Sequence, residues 1–233
     1  MNKDNKVLNY IKSKVESGFN EKNPSHFSLI CKNICNLTDK AQGYEVEKYL
    51  ECITGFEQIA EDGISIEKVG HKGDLKVLYG DKEYFPNAKS TMLGTGALWL
   101  KDPNQMGAKT IKVFDASRTP NFSLPKKLKQ IDNDLIIIHF AWHSIQLKGC
   151  ISVTSLQEIS AYCDVKVIDL FRANKNDEGK PQHWSISTKD LYNTARYHDR
   201  ILPFKVTKKE AKSFLTKHKG FNKPSLVGLM KDE

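Results

Sequence analysis

Three side chains between His71 and Thr91, in HKGDLKVLYGDKEYFPNAKST, are of types that handle a hard cation and a polarised water: Asp74, Asn87 and Lys89. A carboxylate and an amide oxygen suit Mg²⁺, which takes oxygen ligands and keeps several waters. An ammonium group beside them polarises an attacking water or stabilises charge developing on a phosphorus centre. Asp74 lies well before the other two in the chain, so the chemistry depends on what brings them together.

A hairpin would do so. Gly80 and Asp81 separate two strand-like runs, and Gly followed by a polar residue is the signal of a two-residue type II′ turn. That turn sets Tyr79 opposite Lys82 and, counting outward, Asp74 opposite Asn87. Directly paired residues share a face of a sheet, and Lys89 lies two residues beyond Asn87 on that same face. Pro86 marks the place where the ladder is expected to bulge or slip by one residue.

The elements around the hairpin are expected as follows. Helices are predicted over 3–18, where Val7, Leu8, Ile11 and Val15 recur at helical spacing, over 24–37 and over 43–60. Short strands are expected at 64–69, 74–79 and 82–90. TIKVFDA, DLIIIHFAW and VKVIDLF follow as further strands, the second apolar enough to be central. Ser155 and Glu158 stand in capping-box spacing before a short helix, as Thr207 and Glu210 do before another. NKNDEGKPQ reads as a loop and STKDLYNTARYH as a helix. This order predicts an α/β fold with a central mixed β-sheet flanked by helices. We expect a single domain, with N-terminal helices over 1–40, a catalytic core over 42–170 and a C-terminal contact region over 171–233.

The 233 residues carry a net charge of +8, which favours a polyanionic partner because neutralising phosphates releases counterions. Between Lys205 and Lys223 seven lysines face a single glutamate, Glu210; Lys208, Lys209 and Lys212 are candidate DNA contacts. RYHDR offers Arg196 and Arg200 as further contacts, or acid–base machinery of a different enzyme, or else a solvated helix end, and Trp184 in QHWS is a candidate groove element. No apolar run approaches membrane-spanning length, and MNKDNKVLNYIKSK lacks the apolar core of a secretion signal. The five cysteines are odd in number and form no CxxC pair, which predicts reduced thiols and a cytoplasmic protein. His139 and His143 in HFAWH are four apart, a metal pair on a helix but too distant to chelate readily on the strand expected here. GTG at 94–96 lacks the spacing of a nucleotide-binding loop.

The Gly-Asp opening one strand, a dozen residues, and then NAK followed by small polar residues resembles the PD-(D/E)XK nuclease family, which includes most type II restriction endonucleases. The resemblance runs over about residues 42–115. It implies a restriction-endonuclease-like core, Mg²⁺ as cofactor, Asp74 as the family's first acid and Lys89 as its lysine. Asn87 stands where the family has a second acid. Family members often place a glutamate on the helix before the hairpin; in GYEVEKYLECI, Glu45 flanks the apolar stripe and is expected to supply the missing carboxylate, whereas Glu47 lies on the solvent side. The expected protein is a type II restriction enzyme, working as a homodimer on double-stranded DNA. The alternatives are a repair or phage nuclease of the same fold and a basic DNA-binding protein without catalysis.

Overall fold

The computed structural model describes residues 3–20, 64–68, 75–92, 110–117, 121–131, 135–143, 148–205, 207 and 209. Glu45, Asp74, Lys208, Lys212, the helices expected over 24–37 and 43–60, and the GTG segment lie outside them. So does the expected C-terminal helix apart from Thr207 and Lys209.

The first helix, α1 (Lys3–Asn20), forms where the spacing predicts it. Val7, Leu8, Ile11 and Val15 are all fully buried. Three strands follow as a meander: β1 (Ile64–Lys68), β2 (Leu75–Tyr79) and β3 (Lys82–Met92). Gly80 turns the hairpin with φ 62°, as a type II′ turn requires at its first central position. The observed pairs Tyr79↔Lys82, Leu78↔Glu83 and Val77↔Tyr84 are those the turn dictates. This ladder runs no further toward Pro86. Beyond it, from Phe85 to Met92, β3 pairs along its other edge in parallel with β5 (Leu135–His143).

Between β3 and β5 the chain forms β4 (Thr110–Asp115) and the short helix α2 (Leu124–Gln130). After β5 comes β6 (Lys148–Ser155), then α3 (Leu156–Cys163). A strand was expected over VKVIDLF; Val167–Leu170 is instead a 3₁₀ turn. Its backbone bonds close locally, Asp169 N–H donating to Lys166 at 2.9 Å and Phe171 N–H to Ile168 at 3.3 Å. Val167 is buried and Ile168 exposed, and Phe171 stacks on Phe114 with centroids 5.5 Å apart. The hairpin β7 (Arg172–Lys175) and β8 (Pro181–Ser187) follows, turning within the expected loop. Helix α4 (Thr188–Tyr197) and β9 (Ile201–Lys205) complete the described elements.

The result is a mixed α/β fold. A six-stranded sheet has the order β1-β2-β3-β5-β6-β9, with β3 and β5 parallel and the other neighbours antiparallel; a second sheet has the order β4-β8-β7. Strand β5 is central, and Leu135 to Ala141 are all buried, as expected of a strand covered on both faces. Leu135 and Ile137 join the main core with Ile111, Val113 and Phe114 of β4, Leu128 of α2, Leu156 and Ile159 of α3, Ile186 of β8 and Leu191 of α4. Side chains alternate along a strand, so Ile136, Ile138 and Phe140 face the other way. That is the side of α1, whose Lys6 ammonium sits 5.3 Å above the Tyr79 ring.

A polar knot ties these layers at one end of the sheet. Ser155 caps α3, its hydroxyl accepting from Glu158 N–H at 3.2 Å while Ser155 N–H donates back to the Glu158 carboxylate at 3.4 Å. Arg200 Nη1 donates to both Glu158 oxygens at 2.6 Å, and Nε donates to Asn9 Oδ1 of α1 at 3.1 Å. Arg200 was expected at the DNA surface. It is 2% exposed, and its guanidinium is committed to Glu158 and Asn9, so it is an internal tie and not a DNA contact. Among the described residues no helix is long and apolar enough to cross a membrane.

Candidate functional site

Alternation along β3 sends Glu83, Phe85, Asn87 and Lys89 to one face. Across from them runs β4. Its register against β8 shifts between Lys112 and Phe114. A bulge places an extra residue in one strand and re-aims the side chains after it. Val113 and Phe114 are consequently both buried although adjacent, and Asp115 is exposed. Residues 121–131 close the third side. Together these segments enclose an open cleft of about 1040 Å³, lined by Asn87 and Lys89 from β3, Asp115 from β4, and Phe122, Lys126 and Lys127 from the α2 region, among others.

Two of the sequence-derived candidates, Asn87 and Lys89, therefore share one cleft. Asp115 joins them, and the sequence reading missed it. Its carboxylate accepts from Ser117 N–H at 3.0 Å and from the Ser117 hydroxyl, and lies 3.1 Å from the Lys112 ammonium. The Ser117 hydroxyl bond, with help from Lys112, holds the Asp115 carboxyl down at about 2. It is ionised across the physiological range. The signal was present in FDAS, an Asp with a Ser two residues on, which is the pattern of a local side-chain turn. Lys126 and Lys127 were also missed; they follow Pro125 at the start of a helix, in LPKKLK.

Lys89 lies beside His139 in the parallel register, and Ser152 lies on the far side of His139. Strands in a sheet are about 4.8 Å apart, so this is a polar row across three strands. His139 is fully buried, and burial pushes its imidazole down to about 4. It adds no positive charge beside Lys89 at neutral pH. The unfolded chain takes up a proton near pH 6.5 and the folded chain does so only near 4. Stability from this group is thus complete above about pH 6.5 and is lost as pH falls toward 4, by on the order of 3 kcal/mol. Urea unfolding at pH 7 and pH 4.5 should show this loss, and His139→Leu should flatten it.

Trp184 is half-buried and packs against the main core; its β8 neighbour His183 bonds to Asn174. Arg196 is exposed in the last turn of α4, and Lys209 is exposed. The Cys150 thiol is buried, which pushes its pKa well up, and Tyr192 of α4 is raised to about 12 chiefly by burial. Among the described residues no group of three His, Cys, Asp or Glu comes together. Among the cleft's oxygen donors, the Asn87 amide and the Asp115 carboxylate fit the chemistry of Mg²⁺, for which one or two carboxylates with waters suffice. No protein-family model, no curated protein and no solved structure matches this chain.

Proposed function

We propose that this protein is a Mg²⁺-dependent endonuclease acting on double-stranded DNA, of PD-(D/E)XK-like fold and of the type II restriction kind, working as a homodimer. The observation that carries the reading is the placement of Asn87 and Lys89 on one face of β3, in one cleft, on the part of the strand that pairs with β5. The net charge of +8 suits the substrate.

In this reading Asn87 and Asp115 would hold Mg²⁺, and the resemblance implies Asp74 and Glu45 as further ligands. The cation supplies charge neutralisation at the scissile phosphate and an acidified water. The Lys89 ammonium donates to the attacking water or to the phosphate oxygens as negative charge builds on them. His139 beside it is neutral and adds no further positive charge next to the Lys89 ammonium.

Plasmid cleavage with and without Mg²⁺ tests the proposal. Discrete fragments support a restriction enzyme, and smearing supports a repair or phage nuclease of the same chemistry. Retarded but intact DNA supports the second reading, a DNA-binding protein without catalysis, which the amide at position 87 in place of an acid favours.

Asn87 separates these readings further. Asn87→Asp adds charge at nearly constant shape and is expected to keep cleavage while lowering the Mg²⁺ concentration for half-maximal rate, since carboxylates bind hard cations better than amides do. Asn87→Leu is expected to lose cleavage. Equal rates and equal Mg²⁺ dependence for both variants and wild type would remove Asn87 from the site.

A further inference from the structure

The cleft holds more aromatic surface than a phosphate-binding surface needs. Phe85 from β3 and Phe122 beside α2 are half-buried; each packs against the main core on one side and lines the cleft on the other. Lys89, Lys126 and Lys127 line the same cleft. Its two acids are each already balanced by a lysine that is not in the lining: Glu83 is bonded by Lys76 at 2.9 Å and Asp115 by Lys112 at 3.1 Å. The lining thus places three lysine ammonium groups beside two ring faces.

Ring faces among ammonium groups have a known use. A base removed from its stack lies on an aromatic face while its phosphates follow the cations. A stacked duplex offers only phosphates and groove edges, and makes no use of a ring recessed in a cleft. A volume of about 1040 Å³ admits more than one nucleotide, since pockets for single small ligands run from about 300 to 1,000 Å³.

We infer that this cleft seats unstacked nucleotides of a single-stranded DNA segment, with a base against Phe122 or Phe85 and the flanking phosphates toward Lys89, Lys126 and Lys127. This rests on the DNA reading above and adds the strand state that the site engages: the strand is opened locally before it is cut.

The test is anisotropy of fluorescein-labelled oligothymidylate of twelve nucleotides, and of a labelled duplex of equal length, both in EDTA so that nothing is cut. Wild type is expected to bind the single strand about tenfold more tightly than the duplex. Phe122→Leu and Phe85→Leu keep an apolar side chain against the core and remove the ring face. They are expected to weaken single-strand binding about fivefold or more, with duplex binding changed less than about twofold. Equal or tighter duplex binding by wild type overturns the inference, and needs no variant. Leucine variants that bind the single strand as wild type does overturn it as well. The two readings fail separately. Single-strand preference lost in the leucine variants, with no cleavage in Mg²⁺, keeps the cleft assignment and removes hydrolysis. Duplex cleavage without single-strand preference does the reverse.

Discussion

Lys89→Ala is expected to lose Mg²⁺-dependent cleavage by about a hundredfold or more, the range seen when one donor to a developing charge is removed. Lys89 lines the cleft from the middle of β3, beside fully buried His139. Its ammonium is the only cationic group that β3 sends into that space among the described residues. Duplex affinity should fall little, because most of that binding energy comes from phosphate and base contacts elsewhere. Lys89→Arg keeps the charge but replaces a compact ammonium with a broad planar fork, and should recover only part of the rate. Cleavage and gel retardation measured on the same preparations check this. Wild-type cleavage by Lys89→Ala would place the chemistry elsewhere.

Arg200→Met is expected to destabilise the fold by about 3–5 kcal/mol, the cost of leaving a buried carboxylate without its partner. The Glu158 side chain is 12% exposed and that of Arg200 3%. The single change takes the guanidinium away from the Glu158 carboxylate, which keeps the hydrogen bonds from Thr154 and the Ser155 N–H, and also releases Asn9 of α1. The double variant Arg200→Met with Glu158→Gln should recover most of the loss, because a glutamine is neutral and still completes the capping box with Ser155. Urea midpoints of the two variants give the measurement. A single variant within about 1 kcal/mol of wild type would mean that the pair is hydrated. Cleavage per folded molecule should be unchanged in both, since the knot lies outside the cleft lining.

What could be read from the chain alone follows the reach of each signal. The β2–β3 register was legible because Gly80 and Asp81 decide it within a few residues. Helices α1, α3 and α4 were legible from apolar spacing and from the Ser155–Glu158 cap. Strand β5 showed itself as an unbroken apolar run. Strand β6 did not, because Cys150, Ser152 and Thr154 make one of its buried faces small or polar, so KGCISVTS has no apolar run and alternates over only four residues, Ile151 to Thr154. Strand β9 was hidden by Pro203, which is tolerated because β9 lies at the sheet edge. The site was half legible. Asn87 and Lys89 came from local register. Asp115 comes into the cleft through a bulge that breaks alternation, and Arg200 is withdrawn from the surface by a carboxylate 42 positions away. Neither effect leaves a local mark.

The wall of the cleft formed by β4 depends on chain made much later. Among the described residues β4 is hydrogen-bonded in a sheet only to β8, which ends at Ser187. A nascent chain that has emerged only as far as β6 carries the hairpin with Asn87 and Lys89, but not the strand that braces Asp115. Domains settle as units during synthesis, so the cleft takes shape only after β8 has been made. A chain stalled on the ribosome before β8 would hold Asn87 and Lys89 without the braced wall that carries Asp115.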